Sequence, residues 1–420
     1  MNCLMARGGE NLVDLSFRRV GELGPLSNLH GTLHISRLEN VNGAKDAAMA
    51  NLVGKNGIDV LLMEWNEREI ADLDVLEMLQ PPQTLKELTL MHFVGPKFPT
   101  WMGNPLFSNM VHVTLEGCHG CRFLPPLGQL VSLKELFIYR MSKVESVGNE
   151  FYGEGCSMPF PLLETLYFEN MENWKDWFPI ETNNGIEGFP HLKELIIRRC
   201  PKLEGKIPDN LPSLAKLVIG KCDQLIVSIP GHQMLNELNI DKCKELVRKS
   251  EVDLKSLSCL HKLSISYCEG FTSLLEDGFP PNLTSLFIRD LKVTKPLFMF
   301  RLQRLTSLRE LVISGNASDM VSFPPEEQEG MMSLPKSLID LKIFGFPNLN
   351  YLSAEGFQCL TSLECLTIRS CEKLESFPKG GFPLSLLKLQ ISGCPLLHEQ
   401  CRSNKGRLWP LIAHIPYIEI

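Results

Sequence analysis

The sequence predicts an α/β solenoid, in which short strand-and-loop units stack along the chain. Two observations predict it. An aliphatic pattern recurs at intervals of 21 to 30 residues from Leu85 onward. Within each copy apolar and polar residues alternate, as in a strand with one buried side. Because one short strand cannot bury its apolar side alone, neighbouring copies must pair and share a core.

The repeat reads Leu-x-x-Leu-x-Ile-x-x-Cys and is nearly pure at Leu192, Leu195, Ile197 and Cys200. Its mean period of about 25 residues is that of a leucine-rich repeat. We therefore expect a leucine-rich-repeat horseshoe of about fifteen units, with a parallel β-sheet on the concave face and mostly irregular coil on the convex face. A loose unit lies around Leu33, and the others begin at Ile58, Leu85, Met110, Leu133, Leu163, Leu192, Leu214, Leu235, Leu260, Leu283, Leu308, Leu338, Leu363 and Leu386.

The repeat also sets the expected boundaries. Residues 1–20 are predicted to be a poorly ordered leader, and residues 21–420 the solenoid, with divergent first units at 21–80 and a C-terminal cap at about 395–420. Helices are predicted at residues 44–55 and 72–80, the second stopped by two prolines. Three tryptophans in the loops, Trp101, Trp174 and Trp177, are interpreted as packing anchors.

Composition excludes several classes of protein. The formal net charge is −7, which argues against nucleic acid as a partner. No apolar run is long enough for a membrane span, and the N-terminus does not read as a secretory signal. Fourteen cysteines in 420 residues are too few for a disulfide scaffold. Seven of them occupy the ninth repeat position, where a small apolar thiol suits a tight turn.

Catalytic and metal chemistry finds little support in the sequence. Cys118 and Cys121 lie near His112 and His119, but no second pair follows at zinc-ligand spacing. No nucleophile elbow or metalloprotease helix is present. Lys55 stands in a Val-Gly-Lys-Asn-Gly context without a phosphate-binding loop. We therefore expect a non-catalytic chain with no metal and no cofactor.

Several fixed phrases resemble the leucine-rich-repeat region of plant intracellular receptors that carry a coiled-coil and a nucleotide-binding (NB-ARC) module. These phrases lie at residues 21–41, 75–102, 107–153 and 409–420. The resemblance implies a cytoplasmic protein that senses a pathogen effector, or a host protein altered by one, and that restrains a nucleotide switch. The ADP or ATP site of such receptors is not expected in this chain. The alternative is a general intracellular repeat adaptor without an immune role.

Binding is expected at positions three, five, seven and eight of each unit, which point outward from the strands. Units from Leu133 to Leu214 carry aromatic and basic residues there, types enriched in binding hot spots. The predicted protein-binding residues are Phe137, Tyr139, Arg140, Tyr167, Glu169, Ile196, Arg198, Arg199, Lys216 and Lys221. The competing interpretation is that they are ordinary exposed sheet residues, favoured by strand propensity alone.

Overall fold

The structure, a computed structural model, divides into two compact units that are described separately. The first comprises Met1–Leu214 and Lys221–Val227, and the second Ala215–Gly220 and Ser228–Ile420. The residues described are 12–15, 19–67, 71–179, 188–205, 207–208, 210–225, 234–243, 254–268, 278–289, 302–315, 320–325, 334–401 and 406–420.

The first unit is organised by one ladder of parallel strands that pair in chain order. These strands are β1 (Leu12–Leu15), β2 (Gly31–Ile35), β3 (Ile58–Glu64), β4 (Glu87–Met91), β5 (His112–Glu116), β6 (Glu135–Tyr139), β8 (Thr165–Glu169) and β10 (Glu194–Arg198). A separate two-residue pair, β7 (Ser146–Val147) with β9 (Asp176–Trp177), joins two of the return segments. Consecutive repeats therefore stack as adjacent strands.

The second unit repeats this arrangement. Its ladder strands are β11 (Lys216–Gly220), β12 (Glu237–Asp241), β13 (Lys262–Ser266), β14 (Ser285–Arg289), β15 (Glu310–Ser314), β17 (Asp340–Phe344), β19 (Cys365–Arg369), β20 (Lys388–Ser392) and β21 (Tyr417–Glu419). The small pair β16 (Ser322–Phe323) and β18 (Tyr351–Leu352) lies in its return segments. The fold is that of a leucine-rich-repeat α/β solenoid.

Among the described residues, the return segments carry short helices. They are α1 (Gly43–Met49), α2 (Leu73–Met78), α3 (Asn149–Tyr152), α4 (Ala354–Gln358) and α5 (Pro395–Gln400), and single 3-10 turns lie at Val20–Leu23, Leu38–Asn40, Leu52–Gly54, Leu127–Gln129, Leu254–Ser256, Leu302–Arg304 and Trp409–Leu411. Apart from the short strand pairs β7/β9 and β16/β18, the rest of the described return chain is irregular, as predicted. Within the described residues no helix has the length and hydropathy needed to cross a bilayer.

The register places the aliphatic positions of each repeat side by side. In the first unit Leu195 pairs with Leu166, and in the second Leu217 pairs with Leu238. Leu195, Leu217, Leu238 and Leu366, all predicted to be core residues, are 0% exposed. A slip of one residue would turn every such side chain to the opposite face, so the predicted register is confirmed.

After many of the ladder strands, the tight turn rests on a left-handed residue at the eighth position of the repeat. Arg140, Arg199 and Lys242 have φ of 52°, 54° and 52°, a region that costs a residue with a Cβ about 1–2 kcal/mol. This turn brings the ninth residue back into the core. Six cysteine thiols there each donate to the backbone carbonyl two residues earlier, as Cys200 does to Arg198 at 3.3 Å. The predicted structural role of these cysteines is confirmed.

Two expectations about the N-terminal region need correction. Within the predicted leader, Leu12–Leu15 forms β1 and pairs with β2, so the ladder begins before residue 21. The remaining residues up to 18 lie outside the described part of the chain.

The helix predicted at 44–55 covers only Gly43–Met49, because Asn51 adopts φ of 48° and starts a separate 3-10 turn. The predicted helix at 72–80 is present as α2, and the Asp72 side chain caps it.

Lys55 performs a structural role in the first unit. Its side chain is buried, and its Nζ donates to the carbonyls of Leu23 and Leu26 at 2.8 and 2.9 Å. Desolvation by burial lowers its pKa. The ammonium group thus holds the chain after the first 3-10 turn, and its protons are already engaged with backbone oxygens.

The loop tryptophans of the first unit pack inward, as predicted. Trp174 is 0% exposed and its ring lies 4.7 Å from that of Phe168 and 5.5 Å from that of Trp177. Trp177 Nε1 donates to the Tyr152 hydroxyl at 2.7 Å, and this hydroxyl donates to the Phe178 carbonyl at 2.9 Å. Each buried polar ring atom therefore has a partner.

Candidate functional site

The candidate site lies on the strand face of the first unit, formed by the first, third and fifth residues of β5, β6, β8 and β10. These are positions three, five and seven of the repeat. The predicted residues on this face are Phe137, Tyr139, Tyr167, Glu169, Ile196 and Arg198, all partly or fully exposed. The alternation of the strands separates them from the buried aliphatic positions.

An aromatic cluster of His112, Phe137, Tyr139 and Tyr167 occupies the centre of this face. The register pairs Phe137 directly with Tyr167. Ring centroids lie 5.1 Å apart for Tyr139 and Tyr167, 5.9 Å for Phe137 and Tyr167, and 5.1 Å for His112 and Phe137. Such separations are favourable for aromatic pairs. Three neighbouring strands, β5, β6 and β8, therefore present a continuous aromatic surface.

Hydrogen bonds fix the orientation of the rings on either side of the cluster. The Tyr167 hydroxyl donates to Glu169 Oε2 at 2.6 Å, and Arg199 Nη1 lies 3.2 Å from the other oxygen of Glu169. His112 Nδ1 lies 3.1 Å from Glu135 Oε2, and its Nε2 lies 3.0 Å from Thr114 Oγ1. Because their partners are within the chain, the rings are held in place before any partner binds.

Arg140 belongs to a separate charge cluster at the C-terminal ends of the strands. Its Nη2 lies 3.1 Å from Glu116 Oε1 and 3.1 Å from Glu67 Oε1. His92 Nδ1 lies 3.1 Å from the same oxygen of Glu67. The positive charge predicted at Arg140 is therefore neutralised by two carboxylates, and Arg199 is likewise paired with Glu169. The surface is aromatic with paired charges, and less basic than expected.

The two central tyrosines are partly desolvated. Burial raises the pKa of Tyr139, and the neighbouring Tyr167, Glu169 and Glu116 raise it further. Burial also raises the pKa of Tyr167 to about 12, with a second contribution from its hydrogen bond to Glu169. Both hydroxyls stay protonated at neutral pH, and that of Tyr167 donates to Glu169.

Two predicted lysines stand apart from the aromatic cluster. Lys221 belongs to the first unit, where it is exposed at a left-handed turn with φ of 56°. Lys216 is the first residue of β11 and belongs to the second unit. Ile196 lies on the strand face of β10, where the register pairs it with Tyr167, so it extends the aromatic surface by one strand.

Among the residues of the site that escaped the sequence prediction are His112, Glu116 and Glu67. His112 and Glu116 occupy positions three and seven of the repeat that begins at Met110. Extending the predicted site by one repeat towards the N-terminus would have included them. Glu67 follows β3 and reaches Arg140 across more than seventy residues of sequence, a contact that the repeat pattern does not indicate.

No chemical reaction is indicated at this site. Within the described ranges no three His, Cys, Asp or Glu side chains are placed to hold a metal ion. The Cys121 thiol donates to the Gly95 carbonyl at 3.4 Å, and burial raises the pKa of Cys118 to about 12. Neither thiol therefore has the character of a nucleophile.

Sequence comparison gives the context of this surface. Residues 20–141 match the family of R13L1/DRL21 leucine-rich repeats, a stretch that includes β2 to β6. The chain is 36% identical over 279 residues to the putative disease resistance RPP13-like protein 1 of Arabidopsis thaliana, which covers 61% of this chain and 26% of that protein. It is 34% identical over 244 residues to disease resistance protein RGA2 of Solanum bulbocastanum, covering 54% and 24%.

The chain thus spans about a quarter of the length of these two relatives. Among solved structures, a leucine-rich-repeat protein of Leptospira interrogans aligns with a TM-score of 0.46 and 18% identity, covering 96% of this chain and 94% of that one. This structural similarity is too weak to support the assignment of the fold, which rests on the repeat ladder and the sequence relatives.

Proposed function

We propose that this chain, a leucine-rich-repeat protein related to plant disease-resistance proteins, is a protein-recognition scaffold that contacts its partner through the aromatic cluster of its first unit. The observation that carries the proposal is the set of four neighbouring rings, His112, Phe137, Tyr139 and Tyr167, held on one sheet face by contacts of 5.1 to 5.9 Å. Aromatic residues such as tyrosine are enriched among the interface residues that contribute most to the binding energy of protein complexes.

Preorganisation supports this role. A side chain that is mobile before binding loses about 0.5–1.5 kcal/mol of entropy when it is immobilised. Tyr167 and His112 already have hydrogen-bond partners at 2.6 and 3.1 Å, so most of that cost is met by folding. A partner would therefore gain the apolar contact area of the rings with little further ordering.

The relatives suggest a defence role for the recognition. We propose that the partner is a pathogen effector or a host protein altered by one. In a longer receptor, the chain would also restrain a nucleotide-switch module. We place this activity in the cytoplasm and expect no catalytic turnover, because the site holds rings and paired charges without a nucleophile. A second candidate is an adaptor without immune function, favoured only by the generic binding character of the fold.

The proposal is tested by affinity capture from leaf extracts of infected and uninfected plants, with quantitative mass spectrometry. The site variant is Phe137→Ala with Tyr167→Ala. The matched control is Phe123→Ala with Phe178→Ala, which removes two exposed aromatic side chains, 61% and 52% accessible, away from the strand face. We expect a pathogen-encoded or infection-modified protein that wild type and control capture and that the site variant loses.

If wild type, the site variant and the control variant captured all proteins equally, the aromatic cluster would have no part in protein recognition. A captured set that depends on the cluster but is the same in infected and uninfected tissue would favour the adaptor. Thermal unfolding of each form checks that the substitutions leave the fold intact.

A further inference from the structure

The second unit carries a row of cationic and aromatic side chains at the C-terminal ends of its strands. The register aligns Arg289 of β14 with Ser314 of β15, Ser314 with Phe344 of β17, and Phe344 with Arg369 of β19. These four residues are called the arginine row. Both arginines lie against aromatic rings: the Arg289 guanidinium carbon is 5.3 Å from the centre of Phe287, and that of Arg369 is 6.0 Å from Phe344.

The middle of the row is a recess. At the third and fifth residues of β15 the side chains are small and nearly covered: Val312 is 5% and Ser314 is 6% exposed. Their neighbours across the ladder are larger, Phe287 and Arg289 on one side and Lys342 and Phe344 on the other. The recess therefore has an apolar and hydroxyl floor, aromatic walls and a cation towards each end.

The charges near the row are unevenly distributed. At the N-terminal ends of the same strands, Lys342 is paired with Glu310 at 2.8 Å and with Asp340 at 2.9 Å. Within the described residues, no carboxylate forms an ion pair with Arg289 or Arg369. Arg289 is half-buried, and a partly desolvated cation without a counter-ion is stabilised when an anion reaches it.

We propose that the arginine row binds an extended acidic segment of a partner protein, with two carboxylates flanking an apolar side chain. Strands lie about 4.8 Å apart, so Arg289 and Arg369, three strands apart, are separated by about 14 Å. An extended chain advances about 3.3 Å per residue. Carboxylates four residues apart meet both arginines, and the apolar residue between them enters the recess above Val312 and Ser314.

This surface belongs to the second unit and shares no residue with the aromatic cluster, and the inference does not depend on the proposed function. A carboxylate suits it better than a nucleic acid does. The chain carries a net charge of −7, which opposes a polyanion over its longer range, whereas a short segment with two charges meets only the local cations. Arginine also offers a planar fork that matches a carboxylate.

The test uses a fluorescent, end-blocked peptide, Glu-Ser-Leu-Ser-Glu, with fluorescence anisotropy on the full chain. The spacing control is the isomer Glu-Glu-Ser-Leu-Ser. The site variant is Arg289→Gln with Arg369→Gln. The matched control is Arg304→Gln with Arg309→Gln, which removes the same charge from two exposed positions outside the row.

We expect the first peptide to bind wild type and the control variant equally, and the site variant at least about tenfold more weakly. Tenfold corresponds to about 1.4 kcal/mol, which the loss of a hydrogen bond to a charged group can supply. Binding should weaken with added salt and should be unaffected by Tyr139→Ala with Tyr167→Ala. Arg369→Gln alone, at an exposed position, should give an intermediate loss of peptide affinity. This single variant replaces the double variant in the test if the double variant does not fold.

Three outcomes would overturn the inference. They are equal binding of the two isomeric peptides, equal losses in the site and control variants, and tighter binding of an oligothymidine that depends on the same two arginines. The last result would assign the row to single-stranded nucleic acid.

Discussion

At the scale of single residues, the aromatic cluster shows how a strand face becomes a specific surface. Phe137 and Tyr167 are placed side by side by the register, which follows from the repeat. The hydrogen bond from Tyr167 to Glu169 and the ion pair from Glu169 to Arg199 do not follow from it. They depend on rotamers and on a left-handed turn at Arg199, which the sequence pattern does not specify.

The raised pKa of Tyr167 gives a pH dependence whose sign is definite. The phenol ionises at about 10 in the unfolded chain and at about 12 in the folded one. The stability it contributes is therefore complete below pH of about 10 and is lost as the pH rises towards 12. We expect Tyr167→Phe to show a shallower loss of stability over this interval, measured by urea unfolding.

Alkaline titration of the phenolate absorbance provides the direct readout. Tyr167→Phe should delete an ionisation near pH 12 from the folded protein. Persistence of this late ionisation in the Tyr167 variant would contradict the environment described for Tyr167.

At the scale of elements, the ladder strands and the aromatic loops are the parts that hold each repeat in place. The strands were predictable because the alternation of aliphatic residues is repeated in every unit. The helix at residues 44–55 was predicted too long, since alanine content favours a helix but gives no sign of the left-handed Asn51 that ends it. Tertiary packing of the turn decided that boundary.

The aromatic loop core of the first unit is expected to be as important as the leucine ladder. Trp174 is fully buried, contacts Phe168 and Trp177, and donates from Nε1 to the Asp176 carbonyl at 2.9 Å. We expect Trp174→Ala to lower the free energy of unfolding by about 3–5 kcal/mol. Phe123→Ala, at a 61% exposed site, should change it by less than about 0.5 kcal/mol.

Urea unfolding followed by circular dichroism measures both variants. A loss for Trp174→Ala no larger than that for Phe123→Ala would show that the return loop tolerates the cavity and that Trp174 is not an anchor.

At the scale of the whole chain, one repeated sequence pattern accounts for the shared core and for the positions at which we propose binding. The inward leucines and isoleucines form a shared core, and the residues at outward positions can differ from one repeat to the next. At these outward positions, the first compact unit carries the aromatic cluster and the second compact unit carries the arginine row. The repeat predicts which positions face outward, but the partner chemistry depends on contacts between neighbouring repeats, such as Arg140 with Glu67, which appear only in the folded chain.

The alternation of faces along a strand is tested most directly by two adjacent substitutions on β12. Leu238 is 0% exposed, and Asn239 lies on the strand face. In urea unfolding, we expect Leu238→Ala to cost about 2–5 kcal/mol and Asn239→Ala less than about 0.5 kcal/mol. Equal costs, or a larger cost for Asn239→Ala, would show that the aliphatic positions do not form the shared core.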